Sequence, residues 1–272
     1  MTSGIEDRKM PLVEHLAELR RRLIYSLAAF IILFFVAYAF HQHMFDFLVE
    51  PLAKLLEAKS SNGQVRRMIF TAPQEAFFTN VKIAFFAAAF LSFPVIASQI
   101  WMFVAPGLYR HEKKAFLPFL VATPALFLMG AAMVYYLVMP VAYQFFLSFE
   151  TTGAQGGLPI QLETRVSEYL SLSMQLIFAF GLCFELPVLM TLLARVGIVT
   201  ARGLAEKRRY AIVIAFIVAA VLTPPDVISQ VMLAVPILIL YEISVICARF
   251  VEKGRAARLA ALDADPVDPP AD

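Results

Sequence analysis

Charge is scarce in this 272-residue chain: 16% of its residues are Asp, Glu, Lys or Arg, 60% are hydrophobic, and mean hydropathy is +0.74. A water-soluble domain carries about a quarter charged residues, so water is not the main solvent here. The net charge of +2 is small and its basic residues lie in patches between apolar runs, which argues against a nucleic-acid partner. Cysteine is nearly missing as well. Cys183 and Cys247 both fall inside apolar runs with no nearby His or Cys, which excludes a disulfide framework and a zinc signature and leaves both as apolar filler. His41 and His43 lack a third ligand, so neither a metal nor a cofactor is expected. Among the 11 glycines no Gly-x-x-x-x-Gly-Lys phosphate loop occurs, so any work against a gradient draws on an energy source other than nucleotide hydrolysis by this chain. No enzyme active site is visible. The apolar run after Arg22 is too long for the core of a cleaved secretory signal and is expected to stay in the bilayer.

What the chain has in abundance is long apolar runs. A helix crossing the hydrocarbon core needs roughly 20 apolar residues, because every backbone polar group must be satisfied within the segment. Six runs qualify as candidates: 23–40, 81–104, 115–138, 170–193, 210–222 and 227–248. The expected fold is therefore an all-α polytopic membrane protein with a single six-helix domain over 1–250 and a disordered tail over 251–272, rich after Leu262 in Asp and Pro. The fifth run is broken early by Thr223-Pro224-Pro225-Asp226, so helices five and six are read as short crossings that thin the bilayer locally. Assigning Lys and Arg to alternate sides puts 17 with the two termini and 6 opposite, which predicts that both termini are cytoplasmic. The external loops, 41–80 and 139–168, are long enough to be ordered caps, the first around an amphipathic piece with Phe45, Leu48, Leu52, Leu55 and Leu56. No internal repeat is evident.

Acids inside apolar runs are functional candidates, because a carboxylate in hydrocarbon costs several kcal/mol unless it is paired, protonated or turned toward a polar cavity. Glu185 lies ten residues before Arg195, near mid-membrane, with Pro187, two residues on, expected to bend the helix. It is either an acid satisfied between helices or a polar contact on a concave surface. Asp226 and Gln230 stand one turn apart at the start of the sixth run, where Asp226 suits an N-cap. Glu242 reads as a satisfied buried acid. Near the N-terminus, Leu12, Leu16, Leu19 and Leu23 form an apolar stripe of a surface helix whose other face, with Glu14, His15 and Glu18, is expected to be solvated; Glu18 can pair with Arg21 or Arg22. Glu112 sits among Arg110, Lys113 and Lys114 as a surface ion pair.

Four segments carry more than generic chemistry: Glu14-His15-Leu16-Ala17-Glu18-Leu19-Arg20-Arg21-Arg22-Leu23, Ala105-Pro106-Gly107-Leu108-Tyr109-Arg110-His111-Glu112, Phe180-Gly181-Leu182-Cys183-Phe184-Glu185-Leu186-Pro187, and Leu222-Thr223-Pro224-Pro225-Asp226 with Gln230. In this order, and over 11–250, the chain resembles the TatC family, the signal-recognition core subunits of the twin-arginine protein translocase. The resemblance implies a glove-shaped, concave bundle in the cytoplasmic (inner) membrane. It also implies a cytoplasmic face that binds twin-arginine signal peptides of folded export substrates through Glu18, Arg20, Phe103 and Glu112. It further implies docking of TatA- and TatB-type single-span partners and other copies of the chain, with Glu185 on the docking face and Asp226 and Gln230 as further polar groups of the membrane region, and export driven by the proton motive force. Pro51 and Pro94 match family positions that bend the external cap and helix two. Guanidinium suits such a site, since its planar fork can bind a carboxylate through two hydrogen bonds. The alternative from another class is a proton-coupled secondary transporter using Glu185 and Asp226; a structural scaffold is a third. Missing inverted repeats and the short late spans speak against the transporter.

Overall fold

A computed structural model of the chain describes residues 12–58, 67–104, 113–151, 158, 162–223 and 227–263. The described residues are helical almost throughout, in the order α1 (Leu12–Ala39), α2 (His41–Ala58), α3 (Glu75–Val104), α4 (Lys113–Met133), a π-helical turn (Val134–Val138), α5 (Met139–Leu147), α6 (Val166–Cys183), α7 (Leu186–Val196), α8 (Ala201–Glu206), α9 (Arg208–Leu222) and α10 (Val227–Asp263). Five segments are long and apolar enough to cross a membrane: Val13–Ala39, Glu75–Phe103, Phe119–Leu147, Val166–Val196 and Gln230–Gly254. The expectation of an all-α polytopic membrane protein therefore holds. The candidate fifth span is α9, only 15 residues long.

Several boundaries differ from those read in the sequence. The stripe of Leu12 to Leu23 is not a separate surface helix, because α1 runs unbroken for 28 residues, about 42 Å at 1.5 Å per residue. The third span does not end at Val138. Pro140 cannot donate to the fourth residue before it, the helix widens into a π turn just upstream, and the apolar run carries on through α5 to Leu147. The sixth helix is not short: it continues to Asp263 as a 37-residue element, so 251–263 is helix rather than tail, as its Ala-, Leu- and Arg-rich sequence favours. Residues 264–272 lie outside the described residues.

By contact density the chain forms two compact units, one of residues 1–45 and 80–124, the other of 46–79 and 125–272. In the first, α1 meets α3 through small residues: Ala37, Ala84 and Ala87 are buried, with Phe34 and Met44 packed on them, and the rings of Phe30 and Phe85 meet edge to face. Little else covers α1, of whose apolar window 6% is buried. Lipid-facing apolar side chains need no such cover.

The second unit is more densely packed. α4 and α6 approach so closely that a Cβ on Gly181 would lie 2.5 Å from the Phe127 ring, and one on Gly130 would lie 2.6 Å from the Phe180 carbonyl. Two glycines thus set the depth of this crossing. α7 ends at Gly197 with φ 87°, where the Gly197 and Ile198 amides both donate to the Leu193 carbonyl. Thr200 caps α8, and Glu252 of α10 accepts from the Ala201 amide at 2.7 Å, so α8 is tied to α10 as well as packed against it through Leu204, Val245 and Ala248.

Within this unit residues 46–58, part of the amphipathic stretch read in the sequence, form a helical cap. Leu48, Leu52 and Leu56, one turn apart, are all buried. Pro51 lies inside α2 and cannot donate to the Phe47 carbonyl. Tyr135 supplies the missing donor, its hydroxyl 2.7 Å from Phe47 O and its ring stacked on Phe47 at 4.4 Å. Tyr169 serves the next carbonyl, Leu48 O, at 2.8 Å. On the exposed side, the hydrogen-bonded Lys54 ammonium holds the Glu50 carboxyl below its ordinary range.

Glu75, not singled out by the sequence, fastens the rest of the cap. Its Oε2 accepts the amides of Thr71 (2.7 Å) and Ala72 (3.3 Å) and the Thr71 hydroxyl, and its Oε1 accepts the Ser167 hydroxyl from α6. Arg165 pairs with Glu168 and donates to Thr71 Oγ1, and Ile69 bridges Arg165 through backbone bonds on both sides.

Candidate functional site

The N-terminal turns of α1 reverse the expected amphipathicity. Leu16, Leu19 and Leu23 are exposed, at 63%, 42% and 65%, whereas the polar residues His15, Glu18 and Arg22 are half-buried. These three stand at spacings of three and four and share one helical face. They face the last turns of α3. The His15 ring stacks on Phe103 at 4.4 Å with 18° between planes. Glu18 Oε1 accepts from Arg22 Nη2 at 2.8 Å, with side-chain exposures of 16% and 18%. Arg22 Nη1 reaches Gln99 Oε1 at 3.4 Å and the Met102 sulfur at 3.1 Å. The physical reason is the solvent: next to lipid the leucines cost nothing outside, and the polar groups gain only where another helix offers partners.

The structure thus brings Glu18 and Phe103 to one place. It leaves Arg20 exposed and does not join it to them. Glu112 lies outside the described residues. Arg22, Gln99, Met102 and His15 were missed as members of this group, although Gln99 and Phe103 one turn apart, opposite a His-x-x-Glu-x-x-x-Arg run, carried the signal. The pairing left open between Arg21 and Arg22 falls to Arg22, while Arg21 is exposed.

Glu185 stands where the fourth span breaks. α6 ends at Cys183 and α7 starts at Leu186, with Glu185 at the N-cap position and Pro187 in the first turn. Pro187 has no amide proton for the Cys183 carbonyl, so at the expected bend the helix breaks for two residues, Phe184 and Glu185, which keep helical dihedrals, and Thr191 turns its hydroxyl back onto the Pro187 carbonyl. Glu185 is half-buried and follows Phe184, whose ring lies against Gly130. Pro94 lies inside α3. Gln230 donates to the Phe216 carbonyl at 3.2 Å, tying α10 to α9. Asp226 lies outside the described residues. Glu242 forms a two-pronged pair with Arg208 at 2.7 and 2.8 Å and is half exposed rather than buried. His41 Nδ1 lies 2.8 Å from the Tyr38 carbonyl at the end of α1. Among the described residues no three His, Cys, Asp or Glu side chains gather as a metal set.

The chain as a whole is similar to known proteins. The family model of the Sec-independent protein translocase protein (TatC) matches residues 14–236. The chain is 48% identical over 258 residues to the Sec-independent protein translocase protein TatC of Magnetococcus marinus, covering 95% of this chain and 91% of that one. It is 41% identical to the protein of the same description from Escherichia coli K12, covering 93% of each. A solved crystal structure described as the twin-arginine translocase receptor TatC superposes with a TM-score of 0.74 at 37% identity, over 88% of this chain and 99% of the other. The chain is a multi-pass membrane protein that belongs to the TatC family of Sec-independent protein translocase components.

Proposed function

We propose that the chain is the receptor and core subunit of a twin-arginine translocase, binding twin-arginine signal peptides of folded proteins at its cytoplasmic face. The supporting observation is the half-buried Glu18 carboxylate one helical turn from His15, whose ring stacks on Phe103 where the start of α1 meets the end of α3. A carboxylate partly withdrawn from water suits a guanidinium, which pairs with it through a planar fork of donors. Glu18 and Phe103, with Arg20 and Glu112, form the signal site in this reading. The chain crosses the inner membrane six times with both termini cytoplasmic, α9 being the short fifth crossing. Glu185, at a helix break inside the fourth span, with Asp226 and Gln230, offers the polar docking groups for TatA- and TatB-type single-span partners, and further copies of the chain join them. Transport then draws on the proton motive force.

The test is cross-linking of an Arg-Arg signal peptide and its Lys-Lys variant to the purified chain. Capture of the Arg-Arg peptide falls in Glu18→Ala or Glu112→Ala; undiminished capture in both variants defeats the proposed site. Glu185→Ala spares peptide capture and weakens co-purification of single-span partners, and intact co-purification counts against that docking role.

A further inference from the structure

Glu18 already holds a guanidinium. Arg22, one turn along α1, donates to one of its two carboxylate oxygens, and Gln99 and Met102 of α3 hold the other end of the Arg22 fork. Both ionic side chains are more than four-fifths covered, so this pair is sheltered compared with the exposed Arg202–Glu206 pair one helical turn apart on α8. Phe103 is covered as well, by the His15 ring. Arg22 is, however, imperfectly served: its Nε is buried with no acceptor among the described residues, and one of its other contacts is to a thioether, a weak acceptor. Such a side chain is held, yet it gains hydrogen bonds on leaving for water.

We propose that Arg22 is an in-chain occupant of the Glu18 site, which an incoming signal arginine must displace, so that Arg22 lowers the apparent affinity for twin-arginine peptides. This rests on the reading of Glu18 as a signal-binding carboxylate. A receptor whose competent form is only a fraction of the population binds more weakly by that fraction. The cost falls unequally on ligands. A guanidinium seeks both carboxylate oxygens and needs Arg22 gone; an ammonium makes one contact and can share the carboxylate with it. Simple removal of positive charge, by contrast, favours every basic peptide alike.

The experiment is equilibrium binding of fluorescent Arg-Arg and Lys-Lys signal peptides to the purified full-length chain in detergent, with each variant shown monodisperse by gel filtration. Arg22→Gln tightens the Arg-Arg peptide about fivefold and the Lys-Lys peptide less than about twofold, as release of a sheltered ion pair of ordinary strength predicts. Gln99→Leu, which changes no charge but loosens Arg22, tightens the Arg-Arg peptide about twofold. Arg21→Gln, removing one exposed charge, shifts both peptides equally and slightly. Unchanged or weaker Arg-Arg binding in Arg22→Gln, or equal tightening of the two peptides, overturns the proposal. Glu18→Gln separates the two readings. If it leaves Arg-Arg binding intact, the signal site itself is wrong; if it weakens binding while Arg22→Gln fails to tighten it, the occupant role alone is wrong.

Discussion

The polar groups where the start of α1 meets the end of α3 and those of the cap are made of the same side-chain chemistry used in opposite ways. In the cap, Tyr135, Tyr169 and Glu75 bond to groups 85 or more positions away, and Glu75 also accepts the Thr71 and Ala72 amides. At the α1–α3 end, the ion pair links residues four apart on one helix, and its remaining contacts are a 3.4 Å amide and a sulfur. Contacts that satisfy orphaned backbone groups are costly to remove, because the unserved group stays buried. A local pair with loose second partners is cheap to exchange. The cap is built to hold, and the α1–α3 end is built to let go.

The largest effect should come from the α4–α6 crossing. Gly130→Ala places a methyl against the Phe180 backbone, which cannot move aside as a flexible side chain can, and should cost about 2–3 kcal/mol by overpacking, read as a fall in the thermal midpoint of the purified protein. Gly181→Ala, which meets the Phe127 ring instead, should cost less than that.

Next comes the proline–tyrosine couple. Tyr135→Phe leaves the Phe47 carbonyl unserved and should cost about 1–2 kcal/mol in denaturant unfolding. In a Pro51→Ala background the restored amide serves that carbonyl, so the same change should cost about half as much or less. Equal costs in the two backgrounds would falsify the account of Pro51. Glu75→Gln should speed hydrogen exchange at the Thr71 and Ala72 amides while leaving amides of α9 alone. The smallest effect belongs to Arg202→Ala, whose pair with Glu206 is exposed at 91% and 65%; its stability change should stay within about 0.5 kcal/mol.

Much of this was legible in the chain. The runs of apolar residues gave the spans, since a bilayer imposes length and leaves few alternatives. Leu48, Leu52 and Leu56 marked the buried face of the cap helix. Glu185 and Pro187 marked the break in the fourth span, because an acid and a proline two residues apart in an apolar run can be explained in few other ways. Other features were not legible. The exposed leucines of α1 and the inward Glu18 and Arg22 inverted a pattern that in water reads the opposite way, and Glu75 was one acid among many in a loop.

By itself the sequence determined that the chain lives in a membrane, where its helices start and stop to within a few turns, and which family it belongs to, because hydropathy, proline and ordered motifs are properties of the chain read in order. Only the tertiary structure decided which polar groups meet. Tyr135 finds the carbonyl that Pro51 vacates 88 residues away, and Glu18 takes Arg22 rather than Arg21 because α3 places Gln99 and Met102 on that side. Partners across that distance are chosen by helix position and by the cost of leaving a polar group unserved, and neither is written in local spacing.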